Sequence, residues 1–303
     1  MSLFDGFVMN AMNTLVTVFV FLIGIGALAL ALMYFADVSQ TADAIRRNYP
    51  VIGRFRALFT NLGEFFRQYF FAMDREEMPF NRAERDWVYR SSSSGDNTVA
   101  FGSTRNLSPV GTAIFVNCPY PQLDEETSET PPVTIGPQAR HPYTASSIIN
   151  ISGMSYGALS RPAIRTLSRG ANMAGCWLNT GEGGLSPFHL EGGCDIVFQI
   201  GTAKYGVRTE DGRLSDEKLR EIATHEQVRM IEIKLSQGAK PGKGGILPAE
   251  KVTAEIARIR GIPEHKASIS PNRHPEIADN AALLDFIGHV RDVSGKPTGI
   301  KCV

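Results

Sequence analysis

NTGEGG (179–184), QIGTAKYGV (199–207) and EIKLSQGAKPGKGG (232–245) decide the fold, because each is a glycine-bearing polar stretch that begins where an apolar run ends. The apolar runs are IINISGM (148–154), CWLNTGEGG (176–184), DIVFQIG (195–201) and the start of MIEIKLSQGAKPGKGG (230–245). Helix-period patterns at 160–174, 252–260 and 279–293 alternate with them, and two more strand-like runs, ASIS (267–270) and PTGIKCV (297–303), complete the series. Short apolar strands alternating with amphipathic helices predict βα units around a parallel sheet. In such a sheet, ligands bind just past the strand ends, where backbone N–H groups and side chains converge.

The residues at those ends carry chemistry. Three glycines surround Glu182 in NTGEGG, which lets backbone approach a flat or phosphorylated ligand and leaves one carboxylate aimed into the site. A flexible turn is the alternative for that stretch. It matches neither a Walker loop nor GxGxxG, so a nucleoside triphosphate or dinucleotide reading has no support. Lys234, Gln237, Lys240 and Lys243 crowd one strand end and its loop, which suits a carboxylate, a phosphate or a reduced flavin, with a solvated basic loop as the plainer reading. Gln199, Thr202 and Lys204 repeat the theme after another apolar run. His274, in SISPNRHPEI (268–277), is either an acid–base group or, in the plainer reading, a surface residue or local hydrogen-bonder. Ser155 stands in GMSYG (153–157), which has the GxSxG spacing, but no Ser/His/Asp arrangement is visible with it, so hydrolase chemistry is set aside.

Upstream, the pattern changes. Between Gly6 and Ala36 there is no charged residue, and LVTVFVFLIGIGALALALMYFA (15–36) is long enough to cross about 30 Å of hydrocarbon. Residues 1–14 have no Lys or Arg, against a cleaved signal peptide, whereas Arg46, Arg47, Arg54 and Arg56 follow the apolar run. The positive-inside rule predicts a single-pass membrane protein with residues 1–14 outside and everything after Ala36 cytoplasmic. In 37–78, Phe55, Leu58, Phe59, Leu62, Phe65, Phe66, Tyr69, Phe70 and Met73 recur at helical steps, predicting a juxtamembrane amphipathic helix. That helix either lies on the lipid surface or packs on the following domain, and packing is the favoured expectation. Residues 79–147 read as an irregular, partly β segment with polar connections at 91–97 and 121–132.

Composition excludes other classes. Thirty-one basic residues balance 31 acidic ones among 303, so nothing draws the chain to nucleic acid. Cys118, Cys176, Cys194 and Cys302 are far apart without a CxxC pair, which predicts reduced thiols and no metal site.

Taken as an ordered set, ISGMSYGALS (151–160), NTGEGGLSP (179–187), QIGTAKYGV, EIKLSQGAKPGKGG with LPAEKVTAEIARIRG (247–261), and SISPNRHPEI resemble the flavin-containing synthase domain of glutamate synthase. RRNYPVIGRFR (46–56), RQYF (67–70) and PFNRAERDWVY (79–89) resemble its membrane-anchored, FMN-binding subgroup. The resemblance implies a (β/α)8 TIM barrel over 148–303 with FMN at the strand ends, reducing 2-iminoglutarate made from 2-oxoglutarate and ammonia. It implies that Met154, Ser155, Tyr156 and Gly157 line the flavin ring, with Thr180, Gly181 and Gln199 beside it and Lys301 near its N1 and O2. It assigns Glu182, Lys234 and Gln237 to the reacting centre, with Lys204 and Lys240 toward the substrate.

This chain departs from that pattern in several places. Lys243 stands where large glutamate synthases tend to carry an acid, and Asn272–Arg273 replaces a proline-rich step. There is no glutaminase domain, so ammonia or a glutaminase subunit would supply nitrogen. The electron donor is open between ferredoxin, a reduced pyridine nucleotide and a quinol. The glycine-rich phosphate loop and the cysteine cluster of the family's iron–sulfur centre do not occur in 148–303, and counting from Ile148 gives about four of eight strands. The expectation is the first half of a barrel. A membrane-tethered interaction protein without catalysis and a flavin barrel acting on another substrate are the competing readings.

Overall fold

The computed structural model describes residues 3–70, 75–76, 78–93, 105–114, 116, 118–238 and 242–302. The chain divides into two compact units, Met1–Pro121 and Gln122–Val303.

The first unit opens with α1 (Leu3–Ser39), a single 37-residue helix that extends past both ends of the predicted span. It is long and apolar enough to cross a membrane. Asp37, near its C-terminus, is 1% exposed. Its carboxylate accepts from Arg54 Nη2 at 2.7 Å, from Arg54 Nε at 2.9 Å and from the Val51 N–H at 2.9 Å. Val51 adopts a left-handed conformation, φ 65°, to aim that N–H. Two helices meet at this clasp: α2 (Ala44–Asn48), capped by Asp43, and α3 (Ile52–Phe70). The aromatic face of α3, expected to pack, stands exposed at Phe55, Leu58, Phe59 and Leu62. A further helix, α4 (Arg82–Ser92), occupies part of the segment read as irregular; Asn81 and Glu84 form a capping box at its start, a signal present in the sequence. The polar stretch 91–97 lies outside the described residues beyond Ser93.

In the second unit an antiparallel hairpin, β1 (Val133–Ile135) and β2 (Tyr143–Ala145), precedes α5 (Arg161–Met173). Then come β3 (Leu178–Asn179), α6 (Pro187–Leu190), β4 (Ile196–Ile200), α7 (Asp216–Thr224) and β5 (Val228–Lys234). An excursion follows, with β6 (Ile246–Leu247), α8 (Ala254–Arg260) and β7 (Ser268–Ile269), before α9 (Asn280–Ser294) and β8 (Thr298–Lys301). The main sheet is parallel in the order β3-β4-β5-β8, and Ile151 adds a parallel bridge to Leu178 at its outer edge. Strand neighbours thus follow chain order, the progression of consecutive strands in an α/β barrel.

One strand departs from the expected series. Ser268–Ile269 pairs antiparallel with Ile246–Leu247, so ASIS belongs to a small arm over the strand ends and not to the main sheet. The chain between β5 and β8 is therefore a single long crossover. The helix α7 was absent from the sequence reading, although Ser215 caps Lys218 N and two acids fill its first turn.

Alternation along β4 and β5 separates the faces. Ile196, Phe198, Ile200, Ile231 and Ile233 are fully buried and pack with Ala171, Leu219, Phe286 and Val290 from α5, α7 and α9. The opposite face carries Gln199 beside Glu232, and Lys234 in register with Lys301. Helices cover one side of the sheet, and polar groups gather on the other toward the strand ends.

Candidate functional site at the strand ends

Glu182 sits on a short 3-10 turn, Gly181–Gly183, that follows β3 directly. Lys234 ends β5, and Gln237 lies three residues on in the next loop. The three side chains meet. Gln237 Nε2 donates to Glu182 Oε1 at 2.6 Å, Lys234 Nζ donates to Gln237 Oε1 at 3.0 Å, and Lys234 Nζ lies 3.1 Å from Glu182 Oε1. Lys234 and Glu182 retain 15% and 19% side-chain exposure, so a small molecule can reach them. An ammonium has three N–H donors and two are used here, which leaves one for a ligand.

Glycines make this triad possible. A Cβ at Gly201 would stand 2.6 Å from Glu182 Oε2 and 2.7 Å from Glu182 Cβ, so only glycine leaves room for the carboxylate. At Gly181, φ is +64° and a Cβ would meet Ser155 Oγ and the Ser155 backbone. The Met154–Ser155 segment and the NTGEGG turn therefore lie backbone against backbone.

A second polar cluster lies deeper on the same face. Glu232 Oε1 accepts from Gln199 Nε2 at 2.5 Å and from Asn179 Nδ2 at 2.8 Å, while Asn179 Oδ1 accepts the Gly181 N–H at 2.9 Å. Thr180 is fully buried, and its hydroxyl oxygen accepts the Gln199 N–H at 3.1 Å. Asn179 and Glu232 escaped the sequence reading. The signal for Glu232 was present, because a carboxylate two residues before Lys234 in an apolar strand shares its face.

The other predicted residues have distinct surroundings. Lys301 sits at the end of β8 beside Lys234, with no ion pair among the described residues. Met154 presents its carbonyl to His189 Nε2 at 2.8 Å. Tyr156 is not brought to the triad: its hydroxyl donates to Glu255 Oε2 at 2.6 Å and its ring packs on Phe188. Gly157 turns beside Ile256 with φ +94°. Lys204 is buried with φ 53° and its ammonium is held by Glu276 at 3.0 Å. Lys240 lies outside the described residues.

Histidines and an arginine brace the site. A carbonyl only accepts, so His189 Nε2 carries the proton it gives to Met154 O, and His189 Nδ1 accepts from the Ser186 N–H at 3.1 Å. His274 Nε2 likewise donates to Lys234 O at 2.9 Å, while its buried Nδ1 has no partner. Burial pushes both imidazoles below their ordinary pKa, so both are neutral around pH 7. His274 is thus buried, not a surface residue, and hydrogen-bonds to the Lys234 backbone. Arg260 is 6% exposed, stacks on Tyr205 and donates to Tyr156 O, and its Nε is unsatisfied. Burial lowers its pKa, and no carboxylate pairs with it among the described residues.

A parallel sheet whose polar strand ends unite a carboxylate, an ammonium and an amide defines an α/β protein with its candidate site at the sheet's C-terminal edge. The model for the conserved region in glutamate synthase matches residues 107–303, and the chain belongs to that family. It is 36% identical to the glutamate synthase large subunit-like protein YerD of Bacillus subtilis, over 95% of this chain and 63% of that protein. Archaeal-type glutamate synthase [NADPH] of Thermotoga maritima is 34% identical over 50% of this chain and 28% of its own length. The archaeal glutamate synthase [NADPH] of Methanocaldococcus jannaschii is 37% identical over the same shares, 50% and 28%. The chain therefore spans less than two thirds of the length of each of these relatives.

The four cysteines are free, and the described residues hold no group of three or more His, Cys, Asp or Glu that could bind a metal.

Proposed function

We propose that the chain forms part of a membrane-anchored, FMN-dependent oxidoreductase that reduces 2-iminoglutarate, formed from 2-oxoglutarate and ammonia, to glutamate. In this reading the four parallel strands are consecutive strands of a (β/α)8 barrel. The observation that carries it is the meeting of Glu182, Lys234 and Gln237 within 3.1 Å at the strand ends.

The residues present suit the ring portion of a flavin. Gly153 and Gly181 let the first strand ends pack closely, for a Cβ at Gly153 would come 3.1 Å from Gly181 Cα and 3.4 Å from Gln199 Nε2, and the backbone there is presented without side chains. Lys301 adds a cation beside Lys234 that no carboxylate neutralises among the described residues. When bound, FMN supplies hydride chemistry at its N5. Lys234 directs its remaining N–H to a substrate carboxylate, and the buried Arg260 offers a second cation. Glu182 pairs with Lys234 through Oε1 and turns Oε2 toward Gly201. Gln237 orients both partners and fixes the distance between them. His274 and His189 stay neutral and hold the carbonyls of Lys234 and Met154, which keeps the two strand ends in place.

Nitrogen comes from free ammonia or a glutaminase subunit. The archaeal-type relatives carry NADPH in their names, which makes a reduced pyridine nucleotide the first donor to assay, before ferredoxin or a quinol. α1 spans the bilayer with Arg46 and Arg47 on the cytoplasmic side.

Flavin binding is read by quenching of FMN fluorescence, and turnover by donor oxidation that requires both 2-oxoglutarate and ammonia. Lys234→Ala should raise the KM for 2-oxoglutarate about 10- to 100-fold, the effect of losing one charge-assisted hydrogen bond, with FMN binding kept. A protein that neither binds FMN nor oxidises a donor in response to 2-oxoglutarate and ammonia overturns the reading.

A further inference from the structure

The first unit contains a helix whose polar side makes contacts with α4 and whose apolar side is open. At about 100° per residue, Phe55, Leu58, Phe59 and Leu62 fall within one arc of roughly 100° on α3, and Glu64 lies on the opposite side. Those four side chains are 46–64% exposed. The opposite side is where α4 attaches: Arg82 Nη2 lies 2.8 Å from Glu64 Oε2, and the Arg56 guanidinium stacks 4.7 Å over the Tyr89 ring. A water-soluble arrangement would bury the aromatics and leave the charges out. Here the protein contacts are made by the charges.

From these contacts we infer that α3 lies in the headgroup region of the bilayer that α1 spans, with Phe55, Leu58, Phe59 and Leu62 in the acyl boundary and anionic phospholipid against its arginines. Three observations select lipid over a protein partner. The first is continuity: buried Asp37, at the end of α1, grips Arg54 and the Val51 N–H, so the start of α3 is held at the end of the membrane-length helix. The second is charge: Arg46, Arg47, Arg54 and Arg56 precede or flank the apolar arc, and Glu64, the one acid in α3, faces away from it. The third is the pattern itself, an apolar stripe edged by arginines, which suits a helix lying about 5–10 Å into the interface.

This inference rests on α1 spanning the membrane, and the experiment reads the two separately. The full chain is reconstituted into phosphatidylcholine vesicles containing phosphatidylglycerol and lipids brominated near the headgroup or deep in the chain. Added tryptophans report from Phe19→Trp, Leu62→Trp and Thr60→Trp, each measured as a difference from the unsubstituted chain. Deep bromines should quench Phe19→Trp. Headgroup-proximal bromines should remove most of the added emission of Leu62→Trp and little of that of Thr60→Trp. Adding Phe55→Glu and Phe59→Glu should abolish the quenching at 62 while Phe19→Trp stays quenched. Quenching at 19 without quenching at 62 overturns the surface helix and leaves the span standing. A blue-shifted but unquenched Leu62→Trp overturns it as well, since protein then covers that face. Equal quenching at 60 and 62 also overturns it. Failure at 19 refutes the span and, whatever is read at 62, overturns the placement of α3 on a bilayer that α1 spans.

Discussion

At the scale of single residues, the site depends on two neutral histidines. Each gives its Nε2 proton to a carbonyl at a strand end, and burial lowers the pKa of each below 6.5. A histidine with a depressed folded pKa refuses a proton that the unfolded chain accepts. Stability is therefore full above the unfolded value and falls as pH drops below it. The urea midpoint should decline between about pH 7 and pH 5. His274→Gln, which can still donate to Lys234 O, should flatten part of that slope; an unchanged slope would remove His274 from the account. Glu191 and Glu255, lowered by hydrogen bonds from Arg165 and Tyr156 respectively, add the same trend only at more acid pH. Sequence reading placed Glu182, Lys234 and Gln237 at strand ends by motif and spacing, and it missed Asn179, Glu232 and Arg260. Their roles arise from partners 33 to 104 residues distant in the chain, which no local spacing reveals.

At the scale of elements, period decided most of what could be read. Ile196, Phe198 and Ile200 alternate with Val197 and Gln199, so one face of β4 joins the core and the other the site. Phe198 is fully buried against α7- and α9-side residues, and Phe198→Ala should cost about 3–5 kcal/mol of unfolding free energy in urea denaturation. A loss under about 1 kcal/mol would mean that this face is not the core. The ASIS run shows where period fails. Two residues of β-pattern fit a main-sheet strand or an arm equally well, and the arm wins because Ile246–Leu247 supplies a local antiparallel partner. The aromatic stripe of α3 shows the same limit, since amphipathicity names the apolar face and not what it meets.

At the scale of the whole molecule, two compact units and, among the described residues, one membrane-length helix set the behaviour of the chain. Alkaline carbonate should leave the protein in the membrane pellet, and protease should reach residues 122–303 in inside-out vesicles but not in right-side-out ones. Release by carbonate would rule out the span. The sequence by itself determined the parallel α/β class, the apolar span and the ordered motifs that place the chain in the glutamate synthase family, because each is written in local periodicity and composition. Only the tertiary structure decided that Gln237 reaches back 55 positions to Glu182, that Lys204 is held by Glu276, that Tyr156 turns to Glu255 and that the stripe of α3 stays open. These depend on contacts between segments far apart in the chain; for the Glu182 turn, glycine at 181 and 201, where a side chain would collide with Ser155 or Glu182, is the physical condition that lets the strand ends close.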